Sequence, residues 1–234
     1  FFDLRAIARI RQERYEDAIN DYNRAIALSP MEQNYWFNRA FCLMNQEKYD
    51  AALLQTDTII HKWSKTAKAY SLKAEILLHK KDTVNAAKSL DQSLEIDPYD
   101  ANSWTTRSYI SLARRQWKDA DKELSKAIHL RPDAYNNYIN RALARLNFNN
   151  LRGAMADYDV ALDLNPNNFL GHYNRGLMRM QLGDDNRAIE DFDYVIKMEP
   201  TNVMAIFNRA LLLEKTGDLR GAIRDFTSVI DKFP

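Results

Sequence analysis

Four copies of a tripeptide, asparagine followed by arginine and a small residue, are separated by multiples of 34 residues and carry the most distinctive side-chain chemistry of the chain. They begin at Asn38, Asn140, Asn174 and Asn208, and the last three are spaced 34 residues apart. A primary amide both donates and accepts a hydrogen bond, so it can match a peptide group without reading its side chain. The guanidinium group that follows each asparagine can bind a carboxylate. The pattern therefore repeats one pair of polar groups, an amide and a guanidinium, at regularly spaced positions along the chain.

Residues that commonly perform catalysis or bind metals do not form a recognisable set. The four histidines, at positions 61, 79, 129 and 172, are dispersed, and Cys42 is the only cysteine. The sequence has no glycine-rich nucleotide loop, no phosphate-binding Gly-Lys-Ser/Thr motif and no His-Glu-x-x-His motif. We therefore predict no enzyme activity, no metal site and no cofactor. His172 and Cys42 are interpreted as shielded or buried packing residues.

Proline marks a 34-residue period along the whole chain. The six prolines lie at 30, 98, 132, 166, 200 and 234, and Ser64 occupies the one skipped place. A period of this length is typical of a repeat array in which each unit packs on its neighbours. With proline assigned to position 32 of a repeat, a single array over 1–234 divides into seven repeats: 1–32, 33–66, 67–100, 101–134, 135–168, 169–202 and 203–234.

Small residues recur at fixed places within each repeat. Position 8 is always small, and position 20 is always alanine: Ala18, Ala52, Ala86, Ala120, Ala154, Ala188 and Ala222. Positions 4, 8 and 11 share one helical face, as do positions 20, 24 and 27. Turn-forming residues such as Gly183-Asp184 fall between these faces, at positions 15 and 16. Each repeat is therefore predicted to be an antiparallel pair of helices that pack closely.

These residues together resemble the tetratricopeptide repeat family. The resemblance includes a small residue at position 8, alanine at 20, proline at 32, and an aromatic residue at position 4 in four repeats: Trp36, Tyr70, Trp104 and Tyr138. It covers the whole chain. It implies an all-α, right-handed superhelical solenoid of seven antiparallel helix pairs, whose concave face is lined by the first helix of each pair.

A basic residue occupies position 7 of every repeat. In an antiparallel pair this position lies level with position 23, which is acidic in five of the seven repeats. The two exceptions, Gln55 and Ser89, are each followed two residues later by an acid, Asp57 and Asp91. We predict an internal ladder of charge-assisted hydrogen bonds; contact with an acidic ligand is the alternative.

The resemblance also suggests candidate binding residues, because position 6 of the family faces the concave groove. Asn140, Asn174 and Asn208 occupy this position in three consecutive repeats, and Asn38 occupies it alone. Ile139, Tyr173 and Phe207 precede the three consecutive asparagines and are expected to offer apolar surface beside them. A structural role for the asparagines is the alternative. The family's clamp for a terminal carboxylate requires lysine at position 5, and no repeat has one.

Charge and hydropathy limit the classes of partner. The chain has 33 basic and 32 acidic residues, so its net charge of +1 gives no long-range attraction to nucleic acid or an anionic membrane. No apolar run is long enough to span a bilayer. The sequence shows no targeting signal, and we expect a soluble protein whose compartment is unknown. It begins at Phe1 without methionine, from which we expect a piece of a longer chain.

The function predicted from the sequence is a non-enzymatic scaffold that binds an extended segment of a protein partner in the concave groove. One alternative is a targeting or regulatory arm of a larger protein that has a catalytic or other domain elsewhere. Another is self-association into a homo-oligomer through the ends of the solenoid. The identity of the partner is not encoded in a recognisable motif.

Overall fold

The computed structural model describes residues 1–64 and 66–232, apart from the side chain of Lys232. The proline predicted to end the last repeat, Pro234, lies outside the described residues. Within them the protein consists of fourteen helices and no strand, two helices for each 34-residue repeat. This confirms the predicted all-α solenoid of seven helix pairs. The helices group into two compact units, Phe1–Arg114 and Arg115–Pro234. The single array over 1–234 stays a prediction.

Unit 1 contains the first seven helices. Three complete helix pairs are followed by the first helix of the fourth repeat: α1 (Phe2–Arg11), α2 (Tyr15–Leu28), α3 (Gln33–Asn45), α4 (Tyr49–Lys62), α5 (Ala67–His79), α6 (Thr83–Ile96) and α7 (Ala101–Ala113).

Unit 2 contains the remaining seven helices. The second helix of the fourth repeat is followed by three complete pairs: α8 (Trp117–Leu130), α9 (Tyr135–Asn147), α10 (Leu151–Leu164), α11 (Phe169–Leu182), α12 (Asp185–Met198), α13 (Val203–Thr216) and α14 (Leu219–Lys232).

The turn inside each repeat uses the left-handed backbone conformation at position 15. Glycine adopts it in the last two repeats, with φ of 79° at Gly183 and 94° at Gly217. Other residues adopt it in the first five repeats: Glu13, Glu47, Lys81, Arg115 and Asn149. Because a Cβ atom disfavours this conformation, the charged residues here carry a local conformational cost.

Side-chain caps begin several of the first helices. Asp100 accepts from the backbone N–H groups of Asn102 and Ser103 at the start of α7. Asn168 and Asn202 cap α11 and α13 in the same way. These oxygens satisfy N–H groups that have no partner within the helix, so α7, α11 and α13 each have a defined start.

Close helix contact explains the small residues. Six of the seven alanines at position 20 are completely buried, and Ala222 is nearly so. At position 8, a Cβ atom added to Gly176 would lie 3.0 Å from the Phe192 ring. Larger side chains at these positions would therefore push the two helices of a pair apart.

The junction that lacks proline, between repeats 2 and 3, is held by aromatic packing. The Trp36 and Trp63 rings meet edge to face with centroids 6.0 Å apart. Lys62 Nζ lies 4.7 Å from the Trp36 centroid and donates to the Pro30 carbonyl at 2.6 Å. Lys65, in the middle of this junction, lies outside the described residues. The cluster packs the described part of the junction without the missing proline.

Candidate functional site

The three consecutive asparagines lie on the first helices of unit 2. Asn140 is on α9, Asn174 on α11 and Asn208 on α13, and all three side chains are half-buried. The Asn208 amide donates to the Tyr173 hydroxyl at 3.4 Å, which brings two candidate residues from neighbouring repeats together. Within the part of the chain that the structure describes, the amides of Asn140 and Asn174 have no hydrogen-bond partner.

The three apolar candidates beside the asparagines differ in exposure. Phe207 is 39% exposed and its ring meets Phe226 edge to face, with centroids 6.0 Å apart. Tyr173 is half-buried, and its ring lies 5.9 Å from Phe192. Ile139 is only 6% exposed and packs in a core cluster of unit 2, so it offers little surface to a ligand. The expectation of groove surface at Ile139 is therefore not met.

The basic side chains of unit 2 at position 7 are bound by the second helices. Arg141 Nη2 lies 2.6 Å from Asp157 Oδ1 in its own repeat, and Nη1 donates to Ser125 of the preceding repeat at 3.0 Å. These guanidinium groups are occupied inside the protein, which confirms the predicted ladder. The same two contacts recur in the next two repeats: Arg175 with Asp191 and Asp159, and Arg209 with Asp225 and Asp193.

In repeats 3 and 4 the basic residue at position 7 contacts an acid of the preceding repeat. The spacing suggested that Asp57 and Asp91 replace the missing acids of their own repeats. The structure shows that they do not. Asp57 accepts from Lys73 at 2.7 Å, so it binds the basic residue of the following repeat. Asp91 accepts from Arg107 at 3.0 Å in the same way. The position-25 side chain therefore links consecutive repeats.

A second arginine, at position 11, reinforces the ladder in repeats 5 and 6. Arg145 Nη1 lies 2.8 Å from Asp157 Oδ2, and Arg179 Nη1 lies 2.7 Å from Asp191 Oδ2. Both carboxylates are buried. Each binds the arginines at positions 7 and 11 of its own repeat. The arginine at position 11 was visible in the sequence, but its role was missed because only some repeats have it. It lies one helical turn beyond position 7 and so reaches the same acid.

His172 takes the place of an aromatic residue and is shielded, as predicted. Its ring stacks on Tyr194 with centroids 4.0 Å apart. Nδ1 lies 3.0 Å from Asp191 Oδ1, and Nε2 lies 3.0 Å from the Pro166 carbonyl. In repeat 4, Trp104 occupies the equivalent position, and its indole N–H donates to the Pro98 carbonyl at 2.9 Å. The histidine therefore connects repeats 5 and 6.

Burial also explains the packing role of the cysteine. Cys42 is completely buried, and burial raises its pKa to about 12. The neutral thiol packs as a small apolar side chain, as predicted. Among the described residues, no group of three or more His, Cys, Asp or Glu side chains is placed to hold a metal ion. In the same part of the chain, every helix is too short or too polar to span a lipid bilayer.

The chain belongs to the tetratricopeptide repeat family, whose model matches residues 4–60, 43–101 and 170–234. Over 86 residues it is 34% identical to the E3 ubiquitin-protein ligase CHIP of Arabidopsis thaliana, a match that covers 37% of this chain. The chain spans about a third, 31%, of that curated relative.

Solved structures share the fold at low sequence identity. The C-terminal part of a repeat protein from Cytophaga hutchinsonii aligns over 99% of this chain and 95% of its own, with a TM-score of 0.76 and 17% identity. Pseudomonas aeruginosa pilF aligns over 86% of this chain and 92% of its own, with a TM-score of 0.74 and 14% identity. YrrB, described as a protein with an unusual peptide-binding site, aligns over 79% and 95%, with a TM-score of 0.67 and 18% identity. These alignments show that the chain shares the helical-repeat fold of these proteins.

Proposed function

We propose that the chain is a non-enzymatic scaffold that binds an extended segment of a partner protein on the first helices of unit 2. The observation that carries the proposal is the state of the amides. Asn140 and Asn174 have no hydrogen-bond partner within the described residues, whereas the neighbouring arginines of the ladder are occupied. The amides are therefore the polar groups left to meet a peptide backbone.

The surroundings of the asparagines suit an extended segment that is not strongly charged. Tyr173 and Phe207 offer aromatic surface next to Asn174 and Asn208. Because the basic side chains are neutralised by buried carboxylates, they do not select for an acidic ligand. Main-chain hydrogen bonds would give affinity, and the aromatic surfaces would hold alternate side chains. The peptide-binding site described for YrrB, which shares the fold, supports the same kind of function.

The test is removal of the amides. The Asn174→Ala and Asn208→Ala double variant should bind a peptide from a captured partner about tenfold more weakly, since peptide groups lose hydrogen bonds in a desolvated groove. Pull-down with mass spectrometry identifies the partner, and calorimetry with the synthetic peptide gives the affinity. Asn147→Ala is the matched control, because its amide already bonds to the Leu143 carbonyl of its own helix. Unchanged affinity in the folded double variant would contradict the proposal.

A second candidate is a recognition arm of a longer protein that has another activity elsewhere. The observation in its favour is the match to the plant ubiquitin ligase, of which the chain spans 31%. In that case a partner bound by this chain would be presented to the other domain. Capture of the same partner by the full-length protein, together with its chemical modification, would favour the arm over the scaffold.

A further inference from the structure

The side chain at position 4 ties several repeats to the proline that ends the preceding repeat. Trp36, Trp104 and Tyr138 each donate a ring N–H or a hydroxyl to the carbonyl of that proline, at distances between 2.9 and 3.2 Å. In repeat 6 the same tether is made by His172, whose Nε2 lies 3.0 Å from the Pro166 carbonyl oxygen. A carbonyl oxygen only accepts hydrogen bonds, so this contact requires a proton on Nε2.

The other ring nitrogen of His172 also faces an acceptor. Nδ1 lies 3.0 Å from Asp191 Oδ1. Burial raises the pKa of Asp191, but hydrogen bonds from His172 and Arg175 and the charge of Arg179 hold it below the ordinary value, so the carboxylate is ionised at neutral pH. An ionised carboxylate only accepts, so the second contact requires a proton on Nδ1. Only the doubly protonated imidazolium therefore satisfies both contacts.

The surroundings of the ring also favour its charged form. The His172 side chain is 13% exposed and the Asp191 side chain 2%, so little water screens the contact between them. The ring stacks on Tyr194 with centroids 4.0 Å apart. An aromatic face attracts a cation more strongly than a neutral ring.

The charged and titratable groups of the described residues around the ring come from three helices. They are Arg175 and Arg179 on α11, Asp191 and Tyr194 on α12, and Asp159 on α10, which accepts from Arg175 Nη1 at 2.9 Å. The two arginines oppose a charge on the ring and the two aspartates favour it. Because these four charges sum to zero, the direct contacts of the two ring nitrogens decide which form the fold prefers.

We propose that His172 is a pH-sensitive joint between repeats 5 and 6. Histidine changes charge between about pH 5 and 8. The neutral ring has a single N–H, so it keeps one contact and places a lone pair against the other acceptor. The contact with the charged Asp191 is the stronger one, so the tether to Pro166 opens.

The sign of the effect follows from the proton that the folded joint holds. Its stabilisation is present in the lower part of this pH range and is lost as the pH rises, because the folded state binds the proton more tightly than the unfolded chain. The joint does not depend on the function proposed for the asparagines of unit 2.

The experiment compares urea unfolding of the wild-type chain and of His172→Tyr at about pH 5.5 and pH 8.5. Tyrosine is the matched replacement, because Tyr138 makes the same tether in repeat 5 and does not change charge in this range. The wild-type midpoint minus that of the variant should fall by about 0.5 M between the two pH values. An unchanged difference would overturn the proposal.

Two further measurements locate the effect. His129→Asn removes an exposed histidine of α8 and should keep the wild-type pH dependence; its loss in that variant would place the effect outside the joint and overturn the proposal. Nitrogen-15 NMR of the wild-type chain, with the His172 signals identified by their absence from His172→Tyr, should show the neutral ring protonated on Nδ1. A proton on Nε2 would mean that the Pro166 tether persists, and would also overturn it.

The joint should also be transferable to repeat 5. Asp157 with its two arginines and the Pro132 carbonyl already stand in the equivalent places. Tyr138→His combined with Val160→Tyr supplies the ring and its stacking partner, since Val160 is the counterpart of Tyr194. This folded double variant should show about twice the pH-dependent fall of the wild-type chain. No added pH dependence would show that these contacts do not make the joint.

Discussion

Repeats 2 and 3 in unit 1 and repeats 5 and 6 in unit 2 have the same helix pairs but different polar contacts between the helices. In repeats 5 and 6 a buried aspartate joins two arginines of its own repeat, as Asp191 joins Arg175 and Arg179. In repeats 2 and 3 the acid is replaced by Gln55 and Ser89, both buried. One backbone geometry is therefore compatible with a strongly charged or a nearly neutral interior.

In these four repeats the residue at position 11 changes together with the acid. Arg145 and Arg179 occupy it in repeats 5 and 6, whereas Leu43 and Leu77 occupy it in repeats 2 and 3. Leu77 is buried in a core cluster of unit 1 with Leu90. In these four repeats the acid and the second arginine are either both present or both absent, whereas repeat 7 combines Asp225 with Leu213 at position 11. Where they are absent, fewer charges are fixed by internal contacts.

The largest expected difference between the two regions comes from removing the position-23 side chain. Asp191→Ala should lower the free energy of unfolding by about 3 kcal/mol, because it leaves two guanidinium groups without their buried partner. Ser89→Ala at the equivalent place should cost less than about 1 kcal/mol, because among the described residues the Ser89 hydroxyl bonds only to the Asn85 carbonyl of its own helix. Urea unfolding of both variants measures the difference.

The effect of low pH on the cost of Asp191→Ala provides the control for that prediction. Burial tends to raise the pKa of Asp191, but His172, Arg175 and Arg179 together hold it below its ordinary value. The stabilisation from its ionised form is therefore present above about pH 4 and is lost as the pH falls through the folded-state pKa. The cost of Asp191→Ala should shrink in that range. A cost that stays constant down to about pH 3 would show that the charge is not responsible.

Overpacking should affect the two regions equally. Ala86 and Ala188 are both completely buried at position 20. Replacing either with leucine should destabilise the protein by about 2 kcal/mol, because the facing helix leaves no room. Denaturant midpoints of the two variants test this. A markedly smaller cost at Ala86 would mean that repeat 3 is more loosely packed than repeat 6, and the comparison would then extend beyond polar contacts.

Hydrogen exchange should show the junction between repeats 2 and 3 opening more readily than repeats 5 and 6. We expect the weakest segment to run from Ile59 to Lys73; Lys65 within it is outside the described residues. Position 7 of repeat 3 is a lysine with one acidic contact, so we expect exchange about tenfold faster there than in α9 to α12. The Trp36 and Trp63 contact opposes this opening. Uniform protection from hydrogen exchange along the chain would contradict this expected difference between the junction and repeats 5 and 6.

The smallest effect is expected at the turn of repeat 3. Lys81 has φ of 62°, where the last two repeats use glycine. Lys81→Gly should stabilise the protein by about 0.5 to 1 kcal/mol, because the removal of strain exceeds the entropy cost of glycine. Thermal unfolding measures it, with Gly183→Lys as the reverse change in unit 2. Loss of stability in the glycine variant would show that the lysine side chain makes a compensating contact.

The fold followed from the sequence because its signals repeat seven times. Alanine at position 20, proline at position 32 in all but one repeat, and the basic residue at position 7 each gave the same answer along the chain. The candidate site was harder to predict, because groove positions vary between repeats. Ile139 could be placed beside Asn140 from spacing alone, but its burial depends on packing against neighbouring helices.

The ladder contacts also explain how such a chain can lengthen during evolution. Arg175 contacts Asp191, 16 residues later, and Asp159, 16 residues earlier. Duplication or deletion of any 34-residue block preserves both spacings wherever the block begins, because a residue of the same repeat position always takes the partner's place. Blocks of other lengths break each contact whose two residues lie on opposite sides of the new junction. A product of unequal recombination therefore keeps these contacts, and folds, when it has gained or lost whole repeats.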